Sequence, residues 1–239
     1  MPVVRDGPAS SLFAPLVLRG EIALSQLTDM GISEEMAEAV EYAPSGACVS
    51  WGIPFQIGDV VVVADAPVSV SLEPTKARWF VFMHTSDLRP LEPGPGGFIS
   101  PMRGQGQLAE HAADYVMLYA DGSEERVAIR RRHQIGMFSR RWGENCLEAV
   151  PHAKPRPARS GSAQLNRNDA WGRLQTRVET AVQQPVCWLW AWENPHPDKR
   201  IVGLRCEPVA GTVILSALAY GRASSLPLRW HPRRKALLT

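Results

Sequence analysis

The sequence lacks the features that assign a protein to several common classes. Its 239 residues include four cysteines, with no Cys-x-x-Cys pair, so neither a zinc ribbon nor a disulfide scaffold is indicated. Lys and Arg number 26 against 24 Asp and Glu, a balance that gives no general charge for binding nucleic acid or an anionic membrane. There is no signal-peptide core and no apolar run of roughly 18–20 residues. We therefore expect a cytoplasmic protein with buried thiols and with neither nucleic-acid nor membrane partners.

Motifs that carry catalysis or bind cofactors are also missing. The six histidines form neither His-x-His nor His-Glu-x-x-His. There is no Gly-x-Ser-x-Gly nucleophile motif, and the glycines at 94–97 lack the lysine of a phosphate-binding loop. The sequence thus predicts no metal, no cofactor and no catalytic residue.

The composition is that of a globular protein with an unusual set of aromatic residues. Apolar residues make up 45% of the chain and charged residues 21%, which is enough apolar surface to form a core. Tryptophan is the commonest aromatic residue, with eight Trp against six Phe and four Tyr.

Local patterns predict short helices followed by many strands. Residues 21–40 have helical spacing, with Ser33 as the N-cap of a helix that Pro44 closes. From residue 48 the pattern is that of strands, and the strongest single signal is a hairpin that turns at Asp121-Gly122. The strand predictions cover residues 48–57, 60–63, 68–72, 77–84 (buried on both faces), 113–119, 125–129, 171–180, 186–192, 199–205 and 212–220.

These patterns predict a mainly β fold, an antiparallel β-sandwich of jelly-roll type with short N-terminal helices. Long loops are expected at residues 91–106 and 151–169, because both stretches are rich in proline, glycine or serine. The predicted organisation is an N-terminal lead of short helices that pack on the sandwich (1–47), the sandwich domain (48–222) and a basic linker or exit segment (223–239).

The tryptophan-rich strand offers the first candidate ligand site. Trp188, Trp190 and Trp192 occur at every second residue, so in a strand all three indoles project from one face. Such a stripe is either part of the sandwich core, which we favour, or an exposed platform for sugar rings or flat ligands. Glu193 and Asn194 follow directly and could supply polar contacts.

Two further groups are candidate ligand-binding residues. His84 ends a buried strand, where a hydrogen-bonded structural histidine is the favoured interpretation and a ligand or catalytic role the alternative. Arg130, Arg131 and Arg132 form a basic cluster at a strand end; strand alternation would send Arg130 and Arg132 to one face, for contact with a phosphate or carboxylate. A solvated edge is the favoured interpretation of this cluster.

The order of several motifs resembles a known family. Ile53-Pro54-Phe55, the strand from Ala77 to Thr85, the hairpin from Tyr115 to Gly122 and the turn from Trp192 to Ile201 follow one another as in a bacterial β-sandwich accessory domain. That domain is attached to many glycoside hydrolases and to some large metallohydrolases. The resemblance covers roughly residues 48–220 and implies a non-catalytic role beside an enzyme domain.

Three functional hypotheses follow. The first is a non-catalytic accessory or interaction domain, which binds carbohydrate or another small polar ligand and belongs with a larger hydrolase. The second is a small hydrolase or lyase that uses His84 with a carboxylate such as Asp87 or Asp114. The third is an oligomerisation module whose exposed strands or basic tail bind a partner chain.

Overall fold

The structure is a computed structural model that describes residues 7–20, 22–89, 93, 96–97, 106–139, 145–153 and 186–228. A 3₁₀ helix (Leu24–Asp29) and helix α1 (Glu34–Val40) precede most of the strands. The strands are β1 (Phe13–Leu16), β2 (Gly46–Ser50), β3 (Ile53–Ile57), β4 (Val61–Val63), β5 (Val68–Thr75), β6 (Trp79–Ser86), β7 (His111–Tyr119), β8 (Glu124–Arg130), β9 (Val150–Pro151), β10 (Trp188–Glu193), β11 (Ile201–Pro208) and β12 (Val213–Gly221).

The strands form two main sheets and a hairpin. A six-stranded sheet has the order β1-β12-β6-β10-β9, with β4 also paired to β12. A four-stranded sheet has the order β5-β11-β7-β8, and β2 pairs with β3. All of these strand pairs are antiparallel. The predicted mainly β, antiparallel sandwich is therefore confirmed.

Strand β6 lies at the centre of the packing, and both of its faces are covered. Phe80 and Phe82 point between the two main sheets, where the Phe82 ring lies 5.1 Å from the Tyr115 ring of β7. Val81 and Met83 point the other way and pack in a cluster with Phe55 of the β2–β3 hairpin. All eight residues of β6 are buried, so the predicted burial on both faces is confirmed.

The predicted helix start and the predicted hairpin turn are both present. The Ser33 hydroxyl accepts a hydrogen bond from the Met36 N–H at 3.2 Å, as the N-cap of α1. At the β7–β8 turn the Gly122 N–H donates to the Tyr119 carbonyl at 3.0 Å. Gly122 has a φ of 83°, a conformation that glycine adopts without steric cost.

The segment 48–57, predicted as one extended stretch broken by Pro54, is instead a hairpin. Its two-residue turn is Trp51-Gly52, with φ angles of 56° and 76°. Pro54 lies within β3, opposite Val49. No sequence pattern predicts this turn, because a tryptophan rarely takes the left-handed conformation. Here the Trp51 indole N–H donates to the Pro151 carbonyl at 2.8 Å, and this bond holds the hairpin tip on β9.

Some predictions fall outside the described residues: the strand at 171–180, most of both predicted long loops and the basic end from residue 229. Within the described ranges, neither helix has the length and apolar character needed to cross a bilayer.

Candidate functional site

The tryptophan stripe lies in the core between the two main sheets. Trp188, Trp190 and Trp192 are 2%, 5% and 8% exposed. Strand β10 pairs with β6, so that these three residues are opposite His84, Phe82 and Phe80 in turn. The stripe is therefore part of the core, which is the interpretation that the sequence favoured. It is not an exposed stacking platform, because the indoles have no face open to a sugar ring.

The indoles are fixed by ring contacts and by one hydrogen bond. Trp190 stacks on Phe82 with ring centroids 5.3 Å apart, and on the His84 ring at 6.4 Å with an interplanar angle of 12°. The Trp188 indole N–H donates to the Met137 carbonyl at 2.8 Å. A Cβ at Gly136 would lie 2.4 Å from Trp188 Cε2, so this position requires glycine.

His84 is fully buried and has a partner at each ring nitrogen. Nε2 lies 2.9 Å from the Gln134 carbonyl, which can only accept, so Nε2 carries the proton. Nδ1 is therefore an acceptor, and the Tyr115 hydroxyl donates to it across 2.9 Å. Burial lowers the pKa of His84 to about 4 and raises the pKa of Tyr115 well above 10. The pair joins the two sheets as a neutral hydrogen-bonded link.

Neither carboxylate proposed as a catalytic partner of His84 is in contact with it. Asp87 accepts from the Ser33 N–H at 2.7 Å and from the Ser33 hydroxyl at 2.5 Å, so it anchors the start of α1. Asp114 lies 2.7 Å from His111 and 2.8 Å from Arg126. Among the described residues, neither Asp87 nor Asp114 forms with His84 the pair that the hydrolase hypothesis names.

The three consecutive arginines have different environments. Arg130 is exposed at the end of β8, where its backbone N–H donates to Gln134 Oε1 at 2.9 Å. Arg132 is half-buried with a φ of 60°. The expected alternation that puts both on one strand face does not hold, because β8 ends at Arg130. Arg131 is the buried member, with 1% of its surface exposed.

Arg131 is the centre of a buried polar cluster that sequence patterns do not reveal. Its Nη1 donates to the Ser86 hydroxyl at 2.7 Å and to the Asp87 carbonyl at 3.1 Å. Its Nη2 donates to the Ala210 carbonyl at 3.1 Å, and its Nε lies 2.8 Å from a carboxylate oxygen of Glu110. Arg131 and its partners come from four separate stretches of chain, so no local signal predicts their meeting.

A second arginine and a glycine complete this cluster. Arg89 binds the same Glu110 carboxylate through Nη2 at 3.0 Å. A Cβ at Gly211 would lie 2.8 Å from Arg131 Nη2, so the close approach requires glycine there. Burial lowers the pKa of Arg131 to about 10, and the Glu110 charge opposes that shift. The guanidinium is therefore charged at neutral pH and serves to join the strand ends.

Glu193 and Asn194 lie at the other end of β6, beside Trp79. Glu193 is exposed and forms an ion pair with Arg78, whose Nη2 lies 2.8 Å from Oε1. Asn194 is 2% exposed and uses both ends of its amide. Its Oδ1 accepts from the Tyr119 hydroxyl at 2.6 Å, and its Nδ2 donates to the Ala77 carbonyl at 3.0 Å. Both ends of the amide are therefore used within the fold, where Asn194 holds the turn between β10 and β11.

The predicted ligand residues do not converge on one site. Four of them are in the core: His84, Trp188, Trp190 and Trp192. One end of β6 has Glu193 and Asn194 beside it, and the other end lies near Arg130 and Arg132. A shallow, open depression at the Glu193 end is lined by Arg78, Glu193, Asn194, Pro195 and Pro197. The side chains of Arg78 and Glu193 are 45% and 52% exposed, so this ion pair is open to solvent and to ligands.

The outer face of the four-stranded sheet carries a row of charges that neutralise one another. Arg126 contacts Asp114 at 2.8 Å and Glu207 at 2.6 Å. Arg205 contacts Glu207 and Glu124, each at 2.8 Å. Hydrogen bonds from Arg126 and Arg205 lower the pKa of Glu207 to about 2. Each of these five charged side chains has a partner of opposite sign, so the group offers no concentrated field of one sign to a ligand.

The four cysteines are buried and free, as predicted, and burial raises the pKa of the Cys187 and Cys206 thiols to about 12. Among the described residues, no cluster of three His, Cys, Asp or Glu side chains could hold a metal ion. Comparison of the sequence with protein-family models gives no match, and comparison with curated proteins gives none either.

Proposed function

We propose that this chain is a non-catalytic β-sandwich that acts as an accessory or interaction domain. One observation carries the proposal: His84, the residue best suited to acid–base chemistry, is enclosed and uses both ring nitrogens in the fold. A general base must reach a substrate proton directly or through one water. The association with a larger hydrolase follows from the motif resemblance alone.

Within the described residues, the depression at the Glu193 end is a surface that fits a small polar ligand. An exposed guanidinium and an exposed carboxylate 2.8 Å apart present donors and acceptors side by side. Neighbouring hydroxyl groups of a sugar could bridge such a pair, while Pro195 and Pro197 supply apolar contact. Carbohydrate binding is therefore proposed here at Arg78 and Glu193, and not at the tryptophan stripe.

Calorimetric titration of the full chain with a panel of soluble oligosaccharides tests the ligand. We expect binding that weakens at least about tenfold in Arg78→Ala and in Glu193→Ala, because each change removes one side of the bridge. Arg130→Ala, which removes an exposed arginine near the other end of β6, is the matched control and should bind as the wild type does. Binding that survives both depression variants would exclude this site.

A turnover assay tests the absence of catalysis. Chromogenic glycoside and ester substrates incubated with the full chain should be hydrolysed no faster than in buffer. Turnover by the wild type that disappears in a folded His84→Gln variant would refute the non-catalytic proposal and favour the hydrolase alternative.

A further inference from the structure

The two edge strands of the four-stranded sheet differ in how well they are protected from pairing with another strand. Strand β8 has charged side chains along its length: Glu124, Glu125, Arg126 and Arg130. Its last residue is also capped, because the Arg130 N–H donates to Gln134 Oε1 at 2.9 Å. Charged residues on an edge strand are a common device against edge-to-edge pairing.

Strand β5, at the other edge, has none of this protection over its first five residues. Residues 68–72 read Val-Ser-Val-Ser-Leu, and the first charge and the first proline of the strand are Glu73 and Pro74. The irregularity in its pairing with β11 lies between Ile201 and Gly203, so residues 68–71 follow a regular register. Within the described part of the chain, the backbone of residues 68–72 pairs with β11 alone.

The two faces of this edge are suited to pairing with a second strand. Val70 and Leu72 point into the core and are 5% and 6% exposed. Ser69 and Ser71 point outward and are exposed. A strand with the same alternation could therefore extend both the apolar layer and the polar face without burying a charge.

The β5 sequence is complementary to itself in the antiparallel direction. Pairing two copies about Val70 places Val70 opposite Val70, Val68 opposite Leu72, and Ser69 opposite Ser71. Glu73 then faces Pro67 of the other copy, so no charge along this stretch meets a charge of the same sign. Apolar residues meet apolar residues, and hydroxyl groups meet hydroxyl groups.

We propose that two copies of this chain pair through β5, antiparallel and centred on Val70, so that their four-stranded sheets become one continuous sheet. The inference goes beyond the proposed accessory role and does not depend on it. A two-fold axis at Val70 makes every contact away from the axis occur twice, as in an isologous dimer. The stretch is short, so the dimer should dissociate on dilution.

Sedimentation velocity on the full chain measures this equilibrium, from about 1 µM to about 1 mM, where weak interfaces dissociate. The wild type should shift from monomer to dimer across the range. In Ser69→Asp/Ser71→Asp, two pairs of like charges face each other in the dimer, and the dissociation constant should rise at least about tenfold.

A charge swap tests the register itself. Ser69→Lys/Ser71→Asp puts a lysine opposite an aspartate at both crossings, so the dimer should form at least as well as in the wild type. Both positions are exposed serines, and equal thermal unfolding of the dilute monomers would show that the fold is retained.

Three results would each overturn the proposal. The first is a wild type that is monomeric at every concentration, in which case β5 is not a self-pairing edge. The second is a dimer that tolerates the two aspartates. The third is a lysine–aspartate variant as weak as the double-aspartate variant, which would exclude pairing centred on Val70.

Discussion

At the scale of single residues, His84 and Tyr115 show how polar side chains serve a sandwich core. A buried imidazole costs free energy unless both nitrogens find partners, and here the Tyr115 hydroxyl and the Gln134 carbonyl supply them. The Trp190 ring stacks on the imidazole and keeps water away from it. The neutral form of His84 is therefore the form on which the native state depends.

This dependence gives a pH effect of known sign. Because the pKa of His84 is about 4 in the folded state and near 6.5 in the unfolded state, the unfolded state binds more protons between these values. The free energy of unfolding should fall by up to about 3 kcal/mol as pH drops from 6.5 to 4. Chemical denaturation of the wild type and of His84→Gln at several pH values measures it.

The informative quantity is the difference between the two proteins, since other groups also titrate. The variant should be less stable at pH 7 and should lose less stability on acidification. Parallel pH profiles for the two proteins would show that His84 is not a buried neutral group.

Gly136 gives a second residue-scale prediction, of steric origin. A methyl group at this position would overlap the Trp188 indole, whose N–H is already fixed to the Met137 carbonyl. We expect Gly136→Ala to lower the free energy of unfolding by roughly 1–3 kcal/mol or more, as overpacking does. Gly58→Ala is the control, because a Cβ there meets nothing within 4 Å. Equal denaturation midpoints for the two variants would contradict the packing described for Trp188.

At the scale of elements, Asn194 fastens the turn that connects β10 to β11. Its amide bonds the Tyr119 hydroxyl, the Ala77 carbonyl and the backbone of His196. Asn194→Ala should lower the free energy of unfolding by about 1–3 kcal/mol, because buried donors and acceptors lose their partner. In this variant, amide hydrogen exchange should become faster at the turn than in the wild type, with a smaller change in β6. Unchanged exchange near Lys199, where the turn ends, would show that the amide does not hold it.

Elements whose signals are local could be predicted from the sequence. The Ser33 cap, the Asp121-Gly122 turn and the alternation in β5 each depend on a few adjacent residues. The Trp51-Gly52 turn could not be predicted, because it depends on a bond from Trp51 to Pro151, 100 residues away in the chain. The Arg131 cluster could not be predicted for the same reason, since Glu110, Ser86 and Ala210 meet only in the folded sandwich.

At the scale of the whole molecule, the fold uses most of its distinctive residues for its own stability. The six-stranded sheet is covered on one side by the four-stranded sheet and on the other by the β2–β3 hairpin and the short helices. This layered packing explains why Trp188, Trp190 and Trp192 are buried, although their spacing also suits a binding platform. Within the described part of the chain, the candidate surfaces that are left are the Glu193 depression and the β5 edge.

Burial of the tryptophan stripe means that Trp188, Trp190 and Trp192 do not act as an exposed binding platform. Fluorine NMR of the full chain labelled with 5-fluorotryptophan tests it most directly, with resonances assigned through Trp188→Phe, Trp190→Phe and Trp192→Phe. On addition of a soluble gadolinium chelate, these three resonances should not broaden. Strong broadening of any of them by the chelate would show that its indole is exposed and would contradict the burial of the stripe.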